Sequence, residues 1–175
     1  MDEAILVTGG AGYIGSHVVK LLGESGHKIV VLDDLSTGHK ESILYGYLVV
    51  GDIGIQDDLD KVFHNYNIKA VLHFAGSIVV PESVTDPVKY YHNNTVKTLN
   101  LIQSCIKNNV NNFIFSSTAA VYGMGETGSL DETVPFAPIN PYGRSKMMIE
   151  MILEDVSNAH KDFNYIALRY FNVAG

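Results

Sequence analysis

The sequence predicts an α/β protein organised as a doubly wound parallel sheet. Short apolar runs alternate with helix-length segments, most runs are apolar on both faces, and the first run ends in a glycine-rich turn that opens a helix. Residues 4–8 read AILVT, a strand with no polar face, and residues 13–24 continue from the glycines with helical periodicity. The next strands are residues 29–33 (IVVLD) and 47–50 (YLVV), followed by a helix over 58–66. A strand at 70–74 (AVLHF) leads to a long helix over 87–108, a strand at 112–116 (NFIFS), a helix over 141–157 and a last strand at 165–168 (YIAL). Repeated β-α-β units with right-handed crossovers wind such a chain into one sheet with helices on its faces. The least regular stretch, 123–140, carries Gly123, Gly125, Gly128, Pro135 and Pro138, with Pro141 at its end. It reads as a loop at the edge where α/β sheets place their ligand crevice.

Composition narrows the class. With 175 residues, 46% hydrophobic and 18% charged, the chain has the profile of one globular domain over 1–175 with a sizeable core. A formal charge of −7 argues against a nucleic-acid or anionic-lipid partner. Cys105 stands alone and makes no internal disulfide, and the acidic start Met1-Asp2-Glu3 lacks the features of a secretory signal, which together predict a cytoplasmic protein. No apolar run approaches the ~20 residues that span a bilayer, so no membrane partner is expected. Asn93-Asn94-Thr95 then reads as a polar turn of a helix rather than a glycosylation acceptor.

The strongest local signal is residues 5–16, ILVTGGAGYIGS, a strand running through glycines into a helix. Gly9 and Gly12 let the backbone approach a pyrophosphate, Gly15 permits close helix–strand contact, and the helix N-terminus offers N–H groups and a positive dipole end. A tight turn with no ligand satisfies the same pattern. Asp33 ends the second strand eighteen positions after Gly15, near the ~20-residue offset of a carboxylate that accepts from an adenosine ribose. That carboxylate would repel a 2′-phosphate and no Arg stands in 34–39, which favours NAD over NADP. Asp33 or Asp34 capping the following turn is the plain alternative. Asp52, at the end of the third strand, is equally an acceptor for an adenine amino group or a turn residue.

A second constellation is Tyr142-Gly143-Arg144-Ser145-Lys146. Tyr and Lys at i and i+4 share a helix face, and a nearby ammonium together with a nicotinamide charge would lower the phenol's pKa towards general-base use. Taken alone the pair could be an exposed helix contact. The strand ending Ser116-Ser117-Thr118 changes that balance, since hydroxyls at its C-terminal end point donors at a crevice. Hydroxyl, phenol and ammonium beside a nicotinamide suit hydride transfer on an alcohol.

Residues 8–15 (TGGAGYIG), 73–76 (HFAG), 116–123 (SSTAAVYG), 142–146 (YGRSK) and 168–172 (LRYFN) resemble the extended short-chain dehydrogenase/reductases, most closely their nucleotide-sugar epimerases, over essentially the whole chain. The resemblance implies a Rossmann fold and tightly held NAD. It implies 4-epimerisation of a UDP-hexose through a 4-keto sugar, with Tyr142 moving the 4-hydroxyl proton, Lys146 holding the nicotinamide ribose and Thr118 bonding the 4-oxygen. By the same likeness Tyr13, Ile14, Asp33, Leu35, Ser36, Thr37, Gly38, Asp52 and Ile53 line NAD. So do Phe74, Ala75, Gly76, Ser77, Ile78, Asn94 and Phe171, while Asn172 begins the UDP-sugar site.

This chain departs from the pattern at two positions and in its length. Thr118 stands where some members have Ser, which keeps the hydroxyl but restricts its rotamer, and Ile78 stands where some have Lys, leaving more of the diphosphate charge to the helix N-terminus. Ala119-Ala120 replace the acidic pair of a dehydratase sub-family, so no carboxylic acid is placed to protonate a leaving hydroxyl. Relatives of this kind run to about twice this length, so the C-terminal substrate domain is expected to be largely absent. Rival readings are then an NAD-binding module that needs a second polypeptide, and an interaction domain on a vestigial fold.

The seven histidines have no metal-ligand spacing, so no metal is expected and His73 reads as a satisfied core group. Cys105 reads as a small buried residue. On the helix from Tyr142, the residues Met148, Ile149, Ile152, Leu153 and Val156 are expected to face the sheet with Tyr142. Met147 and Met151 remain as a second apolar strip, and family likeness points to a homodimer through helices 87–108 and 141–157.

Overall fold

The computed structural model describes residues 2–124 and 130–174; Gly125 and Gly128 of the expected loop lie outside them. In chain order the elements are β1 Glu3–Thr8, α1 Tyr13–Glu24, β2 Ile29–Asp33, β3 Tyr47–Val50, α2 Gln56–Asn65, β4 Asn67–His73, α3 Val80–Thr85, α4 Pro87–Tyr90, α5 Lys97–Lys107, β5 Asn112–Thr118, α6 Pro141–Ala159 and β6 Asn164–Tyr170. A π-helical segment, Tyr91–Val96, joins α4 to α5, and short 3₁₀ turns occupy Lys40–Ser42 and Ala119–Tyr122. The expected long helix is therefore continuous in path but changes its winding midway. Helix α3 was not expected; Pro81 at its first turn supplies a helical φ without needing an N–H partner.

The strands form one parallel sheet in the order β3-β2-β1-β4-β5-β6. Succession reverses direction between β1 and β4, so their C-terminal ends open the crevice typical of a doubly wound sheet. On one face Leu6, Val30, Leu32, Val71, Phe113 and Phe115 pack against Leu59 and Val62 of α2, Leu101, Ile102 and Cys105 of α5, and Ile149 and Leu153 of α6. On the other, Val7, Ile29 and Val31 pack under Val19 of α1.

Burial on both faces holds for β2 throughout and fails at the rims. Tyr165 and Ala167 of β6 join the larger core, so Ile166 and Leu168 point to the opposite face, where Ile166 remains 57% exposed. The rim strand β6 therefore alternates where β2 does not.

Helix α1 lies so close to the glycine turn that Gly15 has no room for a side chain. A Cβ there would sit 2.2 Å from the Gly9 carbonyl oxygen, a backbone atom that cannot swing aside. Gly15→Ala is expected to lower unfolding free energy by about 1–3 kcal/mol, read as a shifted urea midpoint at unchanged slope. An unchanged midpoint would remove this packing account.

Candidate active site

The glycine turn is pressed against the end of β4. Gly9 takes φ +71°, and a Cβ on it would meet the Ala75 amide nitrogen at 2.5 Å, so glycine is required both for conformation and for space. Gly12 caps α1 with no side-chain hydrogen bond, and the first turn of α1 holds no acidic residue. The positive end of the helix is thus left to attract an anion.

The Asp33 carboxylate ties this turn to the loop after β2: one oxygen accepts from the Ala11 amide at 2.9 Å, the other from the Leu35 amide at 2.9 Å. Asp34 accepts from the Ser36 amide at 2.9 Å and hydroxyl at 2.6 Å, capping the turn. The plain capping reading is therefore present in both, and Asp33 keeps accepting capacity for hydroxyl donors besides. Ser36 and Thr37 are exposed beyond it, while Leu35 and Gly38 are half-buried. Asp52 caps its own turn, accepting from Gly54 at 2.7 Å, and pairs with Lys97 of α5 at 2.5 Å. Sequence reasoning missed Lys97, because no local pattern links it to Asp52. Ile53 is buried in the larger core, whereas Tyr13, Ile78, Phe171 and Asn172 are exposed and Ile14, Phe74 and Ala75 are half-buried.

The loop after β4 is latched from behind. Asn94, 2% exposed in the π segment, accepts from the Ser77 amide at 2.8 Å and donates to the Ser77 carbonyl and the Ser145 hydroxyl, each at 3.0 Å. A Cβ on Gly76 would lie 3.0 Å from Asn94 Oδ1 and 3.5 Å from Lys146 Nζ, which leaves a shallow cradle between them.

Three side chains on one face of α6 meet the end of β5. Asn140 caps the helix, accepting from Gly143 at 2.8 Å, and Pro141 starts it. A Cβ on Gly143 would be 2.6 Å from the Ala120 carbonyl oxygen, so the helix start packs directly on the turn after Thr118. Thr118 accepts from Ala120 at 3.1 Å, and its side chain lies near enough to the Tyr142 phenol to favour the phenolate. Lys146, 3% exposed, donates to the Ser116 carbonyl at 3.0 Å and lies 4.9 Å over the Phe115 ring. The structure brings Tyr142, Lys146 and Thr118 together.

Their electrostatics are those of the protein alone, without the nicotinamide charge on which the lowered phenol pKa was to depend. Burial pushes the Tyr142 phenol up and the Thr118 hydroxyl only partly offsets it, so in the chain alone its pKa is raised rather than lowered. Burial also brings Lys146 down to about 8. Desolvation outweighs the expected effect of the neighbouring cation.

Some contributors gave no sequence signal. The Tyr90 ring meets Tyr142 edge-on at 6.4 Å, and the Tyr90 hydroxyl reaches the Val79 carbonyl and the Glu82 carboxylate, both at 2.7 Å. Behind Tyr142 and Lys146, Glu150 binds Arg169 and the Ser117 hydroxyl. Met148 does not face the sheet as expected. It is 38% exposed and shares the outer strip with Met151, 49% exposed, while Met147 is half-buried. His73 is the satisfied core group expected, held between Thr8 at 2.6 Å and Thr98 at 2.7 Å. Cys105 is buried, and among the described residues no cluster of three metal-ligating side chains occurs.

A model of the NAD dependent epimerase/dehydratase family matches residues 5–175. A UDP-glucose 4-epimerase from Azospirillum brasilense is 52% identical over 172 residues, covering 98% of this chain and 49% of the relative. The structure of the UDP-Glc/GlcNAc 4-epimerase from Campylobacter jejuni superposes with a TM-score of 0.95 at 47% identity, over 99% of this chain and 54% of that one. The structure of a Brucella ovis UDP-glucose 4-epimerase in complex with NAD gives a TM-score of 0.94 at 46% identity, over 98% and 52%. The chain thus spans about half the length of the curated relatives it matches.

Burial, and then the Lys146 charge, bring His73 down to about 3. The unfolded chain therefore takes up a proton below its ordinary value of 6.5 that the folded chain refuses, and this part of the stability falls as pH drops from 6.5 towards 3. Urea titrations across that window are expected to give a slope against pH steeper for the wild type than for His73→Gln, by up to about 1.4 kcal/mol per pH unit. Equal slopes would refute the assignment of a neutral His73.

Proposed function

The chain belongs to the NAD dependent epimerase/dehydratase family, and from that premise we propose that its 175 residues form one NAD-binding domain carrying the proton-transfer groups for 4-epimerisation of a UDP-hexose. The observation that carries the reading is the meeting of α6 with the end of β5: the Tyr142 phenol near Thr118, and Lys146, buried one helical turn on, bonded to the Ser116 carbonyl.

The residues fit the dinucleotide. At Gly12 an added Cβ would meet only the Gly9 carbonyl oxygen, at 3.3 Å, so the turn is otherwise open beside the uncapped start of α1, which suits the diphosphate, and Asp33 suits the adenosine ribose, with no Arg in 34–39 for a 2′-phosphate. Gly76, Asn94 and Lys146 would face the nicotinamide end, with Phe74, Ile78 and Phe171 beside it. Bound there, NAD supplies reversible two-electron oxidation at C4 of the sugar.

Tyr142 would take the 4-hydroxyl proton while the C4 hydrogen leaves with its electron pair, giving the 4-keto sugar. Thr118 donates to the 4-oxygen, and Lys146 holds the ribose and steadies the phenolate that forms. Once the ketone has turned over, return of the hydrogen to the opposite face and of the proton from Tyr142 yields the C4 epimer. Asn172, exposed just past β6, begins the UDP-sugar site. Ala119-Ala120 offer no acid for dehydration, which favours epimerisation, with UDP-galactose and UDP-glucose of galactose metabolism as the pair.

A second reading is supported by length: a domain that spans half its relatives would bind NAD and turn over sugar only when completed by another polypeptide. The reading also includes a cytoplasmic setting and no nucleic-acid or membrane partner. The net charge of −7 supports the lack of a nucleic-acid partner, and among the described residues no helix is long and apolar enough to cross a membrane. Pairing through α4–α5 and α6 as a homodimer is supported by exposed apolar side chains there, Val88 at 74% beside Met148 and Met151.

The purified chain is expected to carry NAD, and UDP-galactose should reduce it. Tyr142→Phe should slow that reduction by about 10²–10⁴-fold without weakening NAD binding. Absence of bound NAD would overturn the reading, and reduction seen only with a co-expressed C-terminal half of a relative would select the second one. Light scattering at micromolar concentration should give a dimeric mass; a monomer would remove the pairing.

A further inference from the structure

Glu150 is a buried carboxylate, 5% exposed, that takes no part in the reaction described above. One of its oxygens accepts from the Ser117 hydroxyl and from Arg169 Nε at 3.2 Å; the other accepts from Arg169 Nε at 3.0 Å and Nη2 at 2.8 Å. Arg169 stands directly across from Ser117 in the β5–β6 register. Its Nη1 donates to the Tyr122 hydroxyl at 2.7 Å, and its guanidinium lies over the rings of Tyr122 and Phe136 at 5.0 and 4.7 Å.

Tyr142, Lys146 and Glu150 stand at i, i+4 and i+8 and so share one helix face. Each addresses one of three consecutive residues at the end of β5: Lys146 bonds the Ser116 carbonyl, Glu150 bonds the Ser117 hydroxyl, and the Tyr142 phenol lies near the Thr118 hydroxyl. Arg169 carries the third grip around Thr118, since it also holds Tyr122 at the end of the turn that Thr118 starts. A buried ion pair gains little net stability over apolar side chains of similar size. What it adds is direction, through charge-assisted hydrogen bonds that reach both sides of Thr118.

We infer that Glu150, together with Arg169, is a positioning residue that sets the Thr118 hydroxyl against the Tyr142 phenol. The inference rests on the reading of Tyr142 as the proton-transfer group and names what keeps it in register.

The sign of one shift separates positioning from simple charge. The groups facing Tyr142 are Lys146 on its own helix, Thr118 on β5, and Tyr90 on α4 with Glu82 behind it. Glu150 lies two helical turns away, about 12 Å along the axis. Drawing the Thr118 hydroxyl away removes what holds the phenol's pKa down, so the midpoint of Tyr142 ionisation rises. Mere loss of an anion would ease phenolate formation and lower it.

The experiment labels tyrosine with ¹³C at the hydroxyl-bearing ring carbon and assigns Tyr142 by comparison with Tyr142→Phe. Its titration is then followed with and without NAD. Glu150→Gln is expected to raise the Tyr142 midpoint by about half a pH unit or more while leaving NAD affinity unchanged. A midpoint that stays put or falls in a folded Glu150→Gln chain overturns the inference. Should Glu150→Gln fail to fold, Ser117→Ala keeps the ion pair and removes only the hydroxyl grip; it must raise the midpoint by a smaller amount, and no rise overturns the inference. If the wild-type chain binds no NAD, the cofactor reading falls, while the ligand-free titration still decides the positioning role.

Discussion

The packing of the start of α6 on the end of β5, through the Gly143 contact with the Ala120 carbonyl and the Lys146 bond to the Ser116 carbonyl, is what brings the Tyr142 phenol near Thr118, and the proposed centre exists only while both are held in place. Parallel strands make this economical, because every strand delivers its last residue to the same edge. Thr8 before the glycine turn, Asp33, the loop after His73, and Thr118 all reach that edge from separate strands. What remains is to aim α6 at it. The capped start at Asn140, the glycine contact at Ala120 and the edge of the Tyr90 ring fix the helix from three directions.

Burial is the dominant electrostatic influence along that edge. It raises Tyr142, brings Lys146 to about 8 and His73 to about 3, so each is drawn towards its neutral form. His73 serves the fold this way, bridging β1 and α5 through two threonine hydroxyls without a charge to desolvate. Tyr142 is different, since its neutral form is what the protein alone prefers and phenolate needs a cation brought beside it.

Much of this was legible in the residues. The strands were found because central parallel strands are apolar on both faces, and the glycine turn because a strand, three spaced glycines and a helix start occur in one stretch. Tyr142, Lys146 and Thr118 were singled out because their side-chain types have few reasons to sit at a strand end or helix start. Other features were not legible, for physical reasons. Lys97 finds Asp52, Tyr90 finds Tyr142, and Arg169 finds Glu150 only after folding brings distant segments together, so no spacing rule marks them. Met148 was assigned to the wrong side of α6 because one apolar residue within a mixed helix fits either of two adjacent stripes. The burial that raises the Tyr142 phenol in the protein alone is not legible either, because a neighbouring lysine is visible in a sequence and desolvation is not.

The wide turn at Tyr91–Val96 has a consequence for how this stretch tolerates insertion and deletion. The extra residue of a wide turn is taken up without changing the phase of the helix on either side, so a residue removed there would let the backbone return to ordinary winding with both flanks still in register. Thr98, Leu101 and Ile102 would keep their seats downstream, and Tyr90 would keep its direction towards Tyr142 upstream. The change would fall on Asn94, inside the segment, and on its latch to the loop after β4. A single-codon deletion in this stretch should therefore yield a protein that still folds and loses that latch alone, which makes these six positions tolerant of length and exacting about where Asn94 falls.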